Sequence, residues 1–133
     1  MYPLLLIFSD KAIFFLRVVL GVILVKHGWP KVKDRAGTDA WFRSVGFRPG
    51  WFWGPVAAAV EFCGGLALIF GLGAKYVAIL VAGQFVVIII WRLLRHEKLS
   101  AGMEQDLLIL AAAAALATLG SGAWALDAAL GWF

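Results

Sequence analysis

Four apolar stretches separated by polar breaks run along the chain, at about residues 12–29, 55–72, 76–91 and 106–124. Within each, apolar residues follow one another without the two-residue alternation of a half-exposed strand. Each approaches the roughly 20 residues that a helix needs to cross a bilayer core. A helix satisfies its own backbone hydrogen bonds, which lipid cannot do. The pattern predicts an all-α protein: an antiparallel four-transmembrane-helix bundle forming one domain over 1–133. A membrane β-barrel would alternate apolar and polar positions along short strands, and this chain does not. Gly73–Lys75 leaves only a tight turn, so the second and third helices are expected to be antiparallel neighbours. Pro30–Gly54 is a long, basic, aromatic connection, and Arg92–Gly102 is a short charged one. Four crossings return both termini to the same side.

Composition agrees with this reading. Of the 133 residues, 63% are hydrophobic and 15% charged, with a mean hydropathy of +0.91. A soluble domain carries about 25% charged residues. An ordinary soluble enzyme, a disordered tail and a disulfide framework are thereby excluded. Lys11 follows the first short apolar lead, Leu4–Phe8, and no small-residue cleavage site comes before the next span. The first segment is therefore expected to be retained.

The balance of 12 Lys+Arg against 8 Asp+Glu leaves a net charge of +4. The basic residues concentrate in two connections: Lys31, Lys33, Arg35, Arg43 and Arg48 in the first, Arg92, Arg95 and Lys98 in the third. Lys11 and Lys75 face the other side. The positive-inside rule puts the two basic loops in the cytoplasm and both termini outside. No nucleic-acid reader motif accompanies the charge, so nucleic acid is not an expected partner. Membrane lipids are. Trp41, Phe42, Phe47, Trp51, Phe52 and Trp53 read as an interfacial anchor, with Arg43 and Arg48 reaching for lipid phosphates.

The candidate chemistry lies in polar residues that a membrane span should not contain. These are Arg17, Lys26, His27, Glu61, Gln84, Glu104 and Asp106. At about 100° per residue, Arg17, Gly21, Leu24, Gly28 and Lys31 share one face of the first helix. Lys26 lies opposite and can snorkel. Glu61, Gly64, Gly65, Leu68 and Leu72 share a face of the second. Glu104, Leu108, Ala111, Ala115 and Thr118 line up on the fourth. At about 1.5 Å per residue from the cytoplasmic boundary, Glu61 lies about 10 Å deep, His27 about 3 Å and Arg17 about 18 Å.

The expected site is one polar cluster of His27, Lys31, Glu61 and Glu104, with Arg17 as its deepest member. An Arg17–Glu61 ion pair that sets helix register and a lining for a polar or redox-active ligand both fit it. No metal site is expected, because His27 and His96 stand in no ligating motif, which also argues against haem. The lone Cys63 reads as a small buried hydrophobe.

Taken in order, Arg17, Gly21, His27-Gly28, Lys31, Glu61, Gly64-Gly65, Gly71, Glu104, Gly120-Ser121-Gly122 and Leu126-Asp127 resemble the DoxX family of small four-helix bacterial membrane proteins. The resemblance runs over nearly the whole chain. It implies a bacterial inner-membrane protein and an oxidoreductase subunit, with a quinone as the first ligand to consider and a redox protein as its partner. Family members are associated with quinone-linked thiosulfate oxidation and with thiol and oxidative-stress complexes. The resemblance marks Arg17, His27, Lys31, Glu61, Glu104 and Asp127. The chain departs from the family's closing Gly-Pro-Gly and Ser-Leu-Asp at Ser121 and Ala125. A non-enzymatic membrane scaffold or assembly partner is the alternative, and a homo-oligomer stays open.

Overall fold

The computed structural model describes Leu5, residues 7–96 and residues 101–131. Lys98, counted above among the loop cations, and Leu4 and Leu6 of the apolar lead lie outside the described residues. The described residues form six helices: α1 (Ser9–Lys33), α2 (Arg35–Ser44), α3 (Gly50–Phe70), α4 (Ala74–Leu94), α5 (Ala101–Leu119) and α6 (Leu126–Leu130). Four of them, α1, α3, α4 and α5, are long and apolar enough to span a membrane. They form a polytopic helical membrane bundle. The start of α1, the α3–α4 turn and α6 lie at one end, here the terminal end. The α1–α3 connection and the break between α4 and α5 lie at the other, the loop end.

The helix bounds follow local chemistry. α1 runs past Pro30 to Lys33, although a proline beyond the first turn gives up its own N–H bond to the carbonyl four residues back. The next residue, Asp34, caps α2 by accepting the Gly37 N–H at 3.0 Å, so part of the long connection is a helix rather than a loop. α3 begins at Gly50, ahead of Pro55, and ends at Gly71, whose φ of 75° is a left-handed cap. The fourth stretch, expected over 106–124, is helical over Ala101–Leu119. Gly120 and Gly122, with φ of 81° and 79°, then turn the chain back toward α6.

α1 packs chiefly on α3, and α4 on α5, with α3–α4 and α1–α5 closing the ring. The α1–α3 crossing is tight. A Cβ on Gly21 would collide with the carbonyl oxygen of Gly65, and one on Gly65 with that of Gly21. Gly28 lies equally close to the backbone of Glu61 and Phe62. Small residues let backbones approach in lipid, where packing rather than water drives association. The core between the helices is Leu20, Leu24, Leu68, Ala78, Val81, Phe85, Ile109, Ala113 and Leu116. Large apolar residues such as Phe15, Leu80 and Leu108 point outward, the reverse of a soluble protein.

The buried face of α1 (Arg17, Gly21, Leu24, Gly28) is the one the 100° spacing selects. On α3, Glu61, Gly64, Gly65 and Leu68 are buried as well, but Leu72 falls beyond the helix and is exposed. α5 differs. Its buried residues are Met103, Asp106, Ile109, Ala113 and Leu116. Glu104, Leu108, Ala111 and Thr118 face outward, because Asp106 and not Glu104 is the acid turned into the bundle. Cys63 is likewise exposed on the outer face of α3 rather than buried.

Gly21→Leu or Gly65→Leu is expected to destabilise the bundle by about 1–3 kcal/mol, the usual scale of overpacking. Gly83→Leu, where nothing lies within 4 Å of an added Cβ, is the control. Thermal unfolding in detergent should separate them, with the first two melting lower and Gly83→Leu near wild type.

Candidate functional site

Polar groups inside the bundle gather at three stations rather than one. The first is midway along α3. Glu61 of α3 is 2% exposed. Its Oε2 accepts from Lys31 Nζ of α1 at 2.5 Å, and its Oε1 from Gln84 Nε2 of α4 at 2.7 Å. Three helices thus meet on one carboxylate. Lys31 reaches it because a helical side chain leans toward its own N-terminus, which from the last turn of α1 points back into the bundle. Its side chain remains 28% exposed.

The second station, at the loop end, joins Arg92 of α4 to Asp106 of α5, Nε to Oδ2 at 2.7 Å. The third closes the terminal end. Arg17 is buried and donates through Nη1 to the Ser121 carbonyl at 3.0 Å and through Nη2 to the Trp124 carbonyl at 2.9 Å. Asp127 of α6 accepts from the backbone N–H groups of Gly73 at 2.6 Å and Ala74 at 3.0 Å, capping α4. Its own N–H donates to the Gly71 carbonyl at 2.9 Å. Asp10 accepts from the Ala123 N–H at 3.2 Å.

The single expected cluster is therefore divided. Lys31 and Glu61 come together. Arg17 does not join them, and there is no Arg17–Glu61 pair. The two stand on antiparallel helices on opposite sides of the Gly21–Gly65 crossing, about 12 Å apart along the axis at 1.5 Å per residue. Each side chain leans toward its own helix N-terminus, so they diverge. His27 is half-buried and makes no hydrogen bond or ion pair among the described residues. Glu104 is exposed on the outward face of α5 and stands apart from Glu61.

The expected cluster does not include Gln84, the Arg92–Asp106 pair or the capping role of Asp127. Gln84 was legible as a lone amide in the most apolar span. Asp106 was legible from its spacing to Ile109, Ala113 and Leu116. Among the described residues, no three His, Cys, Asp or Glu side chains converge as metal ligands.

The three-helix carboxylate, the interhelical ion pair and the capped closing segment are features of a bundle whose relatives can be sought. The family model described as DoxX matches residues 12–93. The chain belongs to the DoxX family. It is similar to an Escherichia coli (strain K12) protein named "Inner membrane protein YqjF", 29% identical over 90% of this chain and 92% of that one. It is also similar to a Bacillus subtilis (strain 168) protein named "Putative oxidoreductase CatD", 36% identical over 84% of this chain and 81% of that one. No solved structure matches it. The DoxX match takes in α1, α2 and α3 and all but the last residue of α4, apart from the first residues of α1. It includes all three members of the central station and leaves Asp106 and Asp127 beyond it.

In this DoxX bundle the central ion pair is a coupled unit. Removing the Lys31 charge strands the buried Glu61 carboxylate with only Gln84 on it, which costs about 3–5 kcal/mol. Lys31→Met is therefore expected to destabilise strongly, and the double variant Lys31→Met/Glu61→Leu to recover much of the loss. A double-mutant cycle of unfolding free energies in detergent measures the coupling.

Proposed function

We propose that this DoxX protein is a membrane subunit of a bacterial redox system and holds a quinone headgroup at the Lys31–Glu61–Gln84 station. The observation that supports the reading is a buried carboxylate set between an ammonium and a primary amide from two other helices. A quinone carbonyl accepts hydrogen bonds, and a quinol hydroxyl donates them. Lys31 has ammonium hydrogens beyond the one given to Glu61, and Gln84 has a second amide hydrogen. Glu61 is the acceptor a quinol hydroxyl would meet. The partly exposed Lys31 is the edge that a ligand arriving through the lipid reaches first. His27, one turn before Lys31, is the next polar group along α1. Electrons arrive in this reading from a redox partner protein, and the oxidoreductase name of the Bacillus relative supports that assignment.

The proposal includes orientation. The loop end carries Lys31, Lys33, Arg35, Arg43, Arg48, Arg92 and Arg95, so it faces the cytoplasm and the termini face outside. Alkaline phosphatase fused to the C-terminus should be active, and fused within the α2–α3 connection inactive.

A second reading, a non-enzymatic scaffold or assembly partner, is favoured by the fact that both Glu61 oxygens are already met by protein donors. Such a carboxylate can serve as a lock between helices. Titration of the purified protein with a quinone analogue separates the two readings. Saturable binding is expected, weakened about tenfold or more by Glu61→Gln or Lys31→Met and unchanged by Glu104→Gln. Absent binding, or binding indifferent to the first two substitutions, rejects the quinone site. A stoichiometric protein recovered from native membranes would then favour the scaffold.

A further inference from the structure

The outer face of α1 changes character toward the loop end. Phe15, Val19, Val22, Lys26, Trp29 and Lys33 fall within about 80° of one another around the helix. All six are exposed. The first three are apolar. The last three are two cations with an indole between them.

Lys26 lies seven residues before the end of α1, about 10 Å along the axis. It belongs to a helix apolar enough to span a membrane. A charge there must find a partner or reach the boundary. The protein supplies no partner. Neither Lys26 nor Lys33 makes a hydrogen bond or ion pair among the described residues, whose ion pairs are Lys31–Glu61 and Arg92–Asp106. Asp34 follows Lys33 in the chain, but it caps α2 through the Gly37 N–H and pairs with no cation among the described residues.

The indole is a second, independent sign. Trp29 is 52% exposed and stands against the Phe62 ring of α3 at 5.9 Å. A tryptophan presented outward near the end of a spanning helix belongs at headgroup level. The Lys33 side chain leans toward its helix N-terminus, and a snorkelling Lys26 extends the other way, toward the loop end. Both ammonium groups can then meet one phosphate beside Trp29. Val22, Val19 and Phe15 continue below it as a track for an acyl chain.

We propose that this face of α1 binds an anionic phospholipid, with its phosphate held between Lys26 and Lys33. Two cations without an opposing acid favour a headgroup of net negative charge over a zwitterionic one, whose own ammonium they repel. The depth of Lys26 calls for a phosphate that carries acyl chains rather than a free one. The site lies opposite the buried face of α1 (Arg17, Gly21, Leu24, Gly28) and does not rest on the quinone reading.

The test uses the full chain in a neutral detergent. It is titrated separately with phosphatidylglycerol, phosphatidylcholine and inorganic phosphate, and bound molecules are counted by native mass spectrometry. One saturable site for phosphatidylglycerol per chain is expected, with phosphatidylcholine about tenfold weaker or more. Lys26→Gln and Lys33→Gln should each weaken phosphatidylglycerol about tenfold, and Lys26→Arg should keep it. Lys75→Gln, which removes an exposed cation at the terminal end, should leave it unchanged. Circular dichroism on each variant confirms that a folded protein is compared. Absent saturation, equal binding of the two lipids, or saturation by inorganic phosphate overturns the proposal. So does equal weakening by Lys75→Gln, because that is bulk attraction rather than a site. A Lys26→Gln variant that splits a homo-oligomer but keeps its lipid also overturns it, because the cation then serves a second copy.

Discussion

Gly21 and Gly65 bring the backbones of α1 and α3 into contact, and the polar geometry of the bundle is measured from that crossing. Four residues before it on α1 stands Arg17, turned toward the terminal end. Seven residues after it, Gly28 rests on the backbone of Glu61 and Phe62. Ten residues after it, Lys31 lies about 9 Å beyond Glu61 along the axis, a gap that a lysine and a glutamate leaning toward each other can close. With a side chain at either glycine, the helices separate and the Lys31–Glu61 bond loses its register. The crossing is thus a condition for the charged site and not merely for compactness.

The second constraint is the low dielectric around the helices. A charge there must be met by protein, and each of the three stations does this with a partner from another element. Glu61 joins α1, α3 and α4. Arg92 and Asp106 join α4 and α5. Arg17 and Asp127 tie the closing segment to α1 and to the α3–α4 turn. Every spanning helix is thereby held by at least one charged contact in addition to its apolar packing. The stations differ in what they leave over. At Glu61 the unused hydrogens belong to Lys31 and Gln84. At the terminal end the one left over is the buried Nε–H of Arg17, which has no hydrogen-bond partner among the described residues.

Much of this was legible in the sequence. Unbroken apolar runs located four spans, and helical spacing picked the buried faces of α1 and most of α3. Lys31 and Glu61 were drawn into one cluster from face and depth alone. Arg17 was misassigned because depth along an axis says nothing of the direction in which a side chain leans. The face of α5 was misread because the pattern was anchored on Glu104. Both acids near its start are plausible by composition, and only a partner such as Arg92 on a neighbouring helix decides between them. The helix α2 was hidden in a stretch whose charges and aromatics read as a loop. The cap that Asp127 places on α4 joins residues more than fifty positions apart, a separation that no local periodicity can reveal.

Cys63 has a practical consequence. It is the one thiol in the chain, and it faces outward from the middle of α3 rather than into the core. A spin label or fluorophore attached there would sit on the outer face of a spanning helix at a single position, with no engineered cysteine and no native one to remove. The wild-type molecule therefore carries its own attachment point for measuring immersion in the bilayer and the distance to a neighbouring copy.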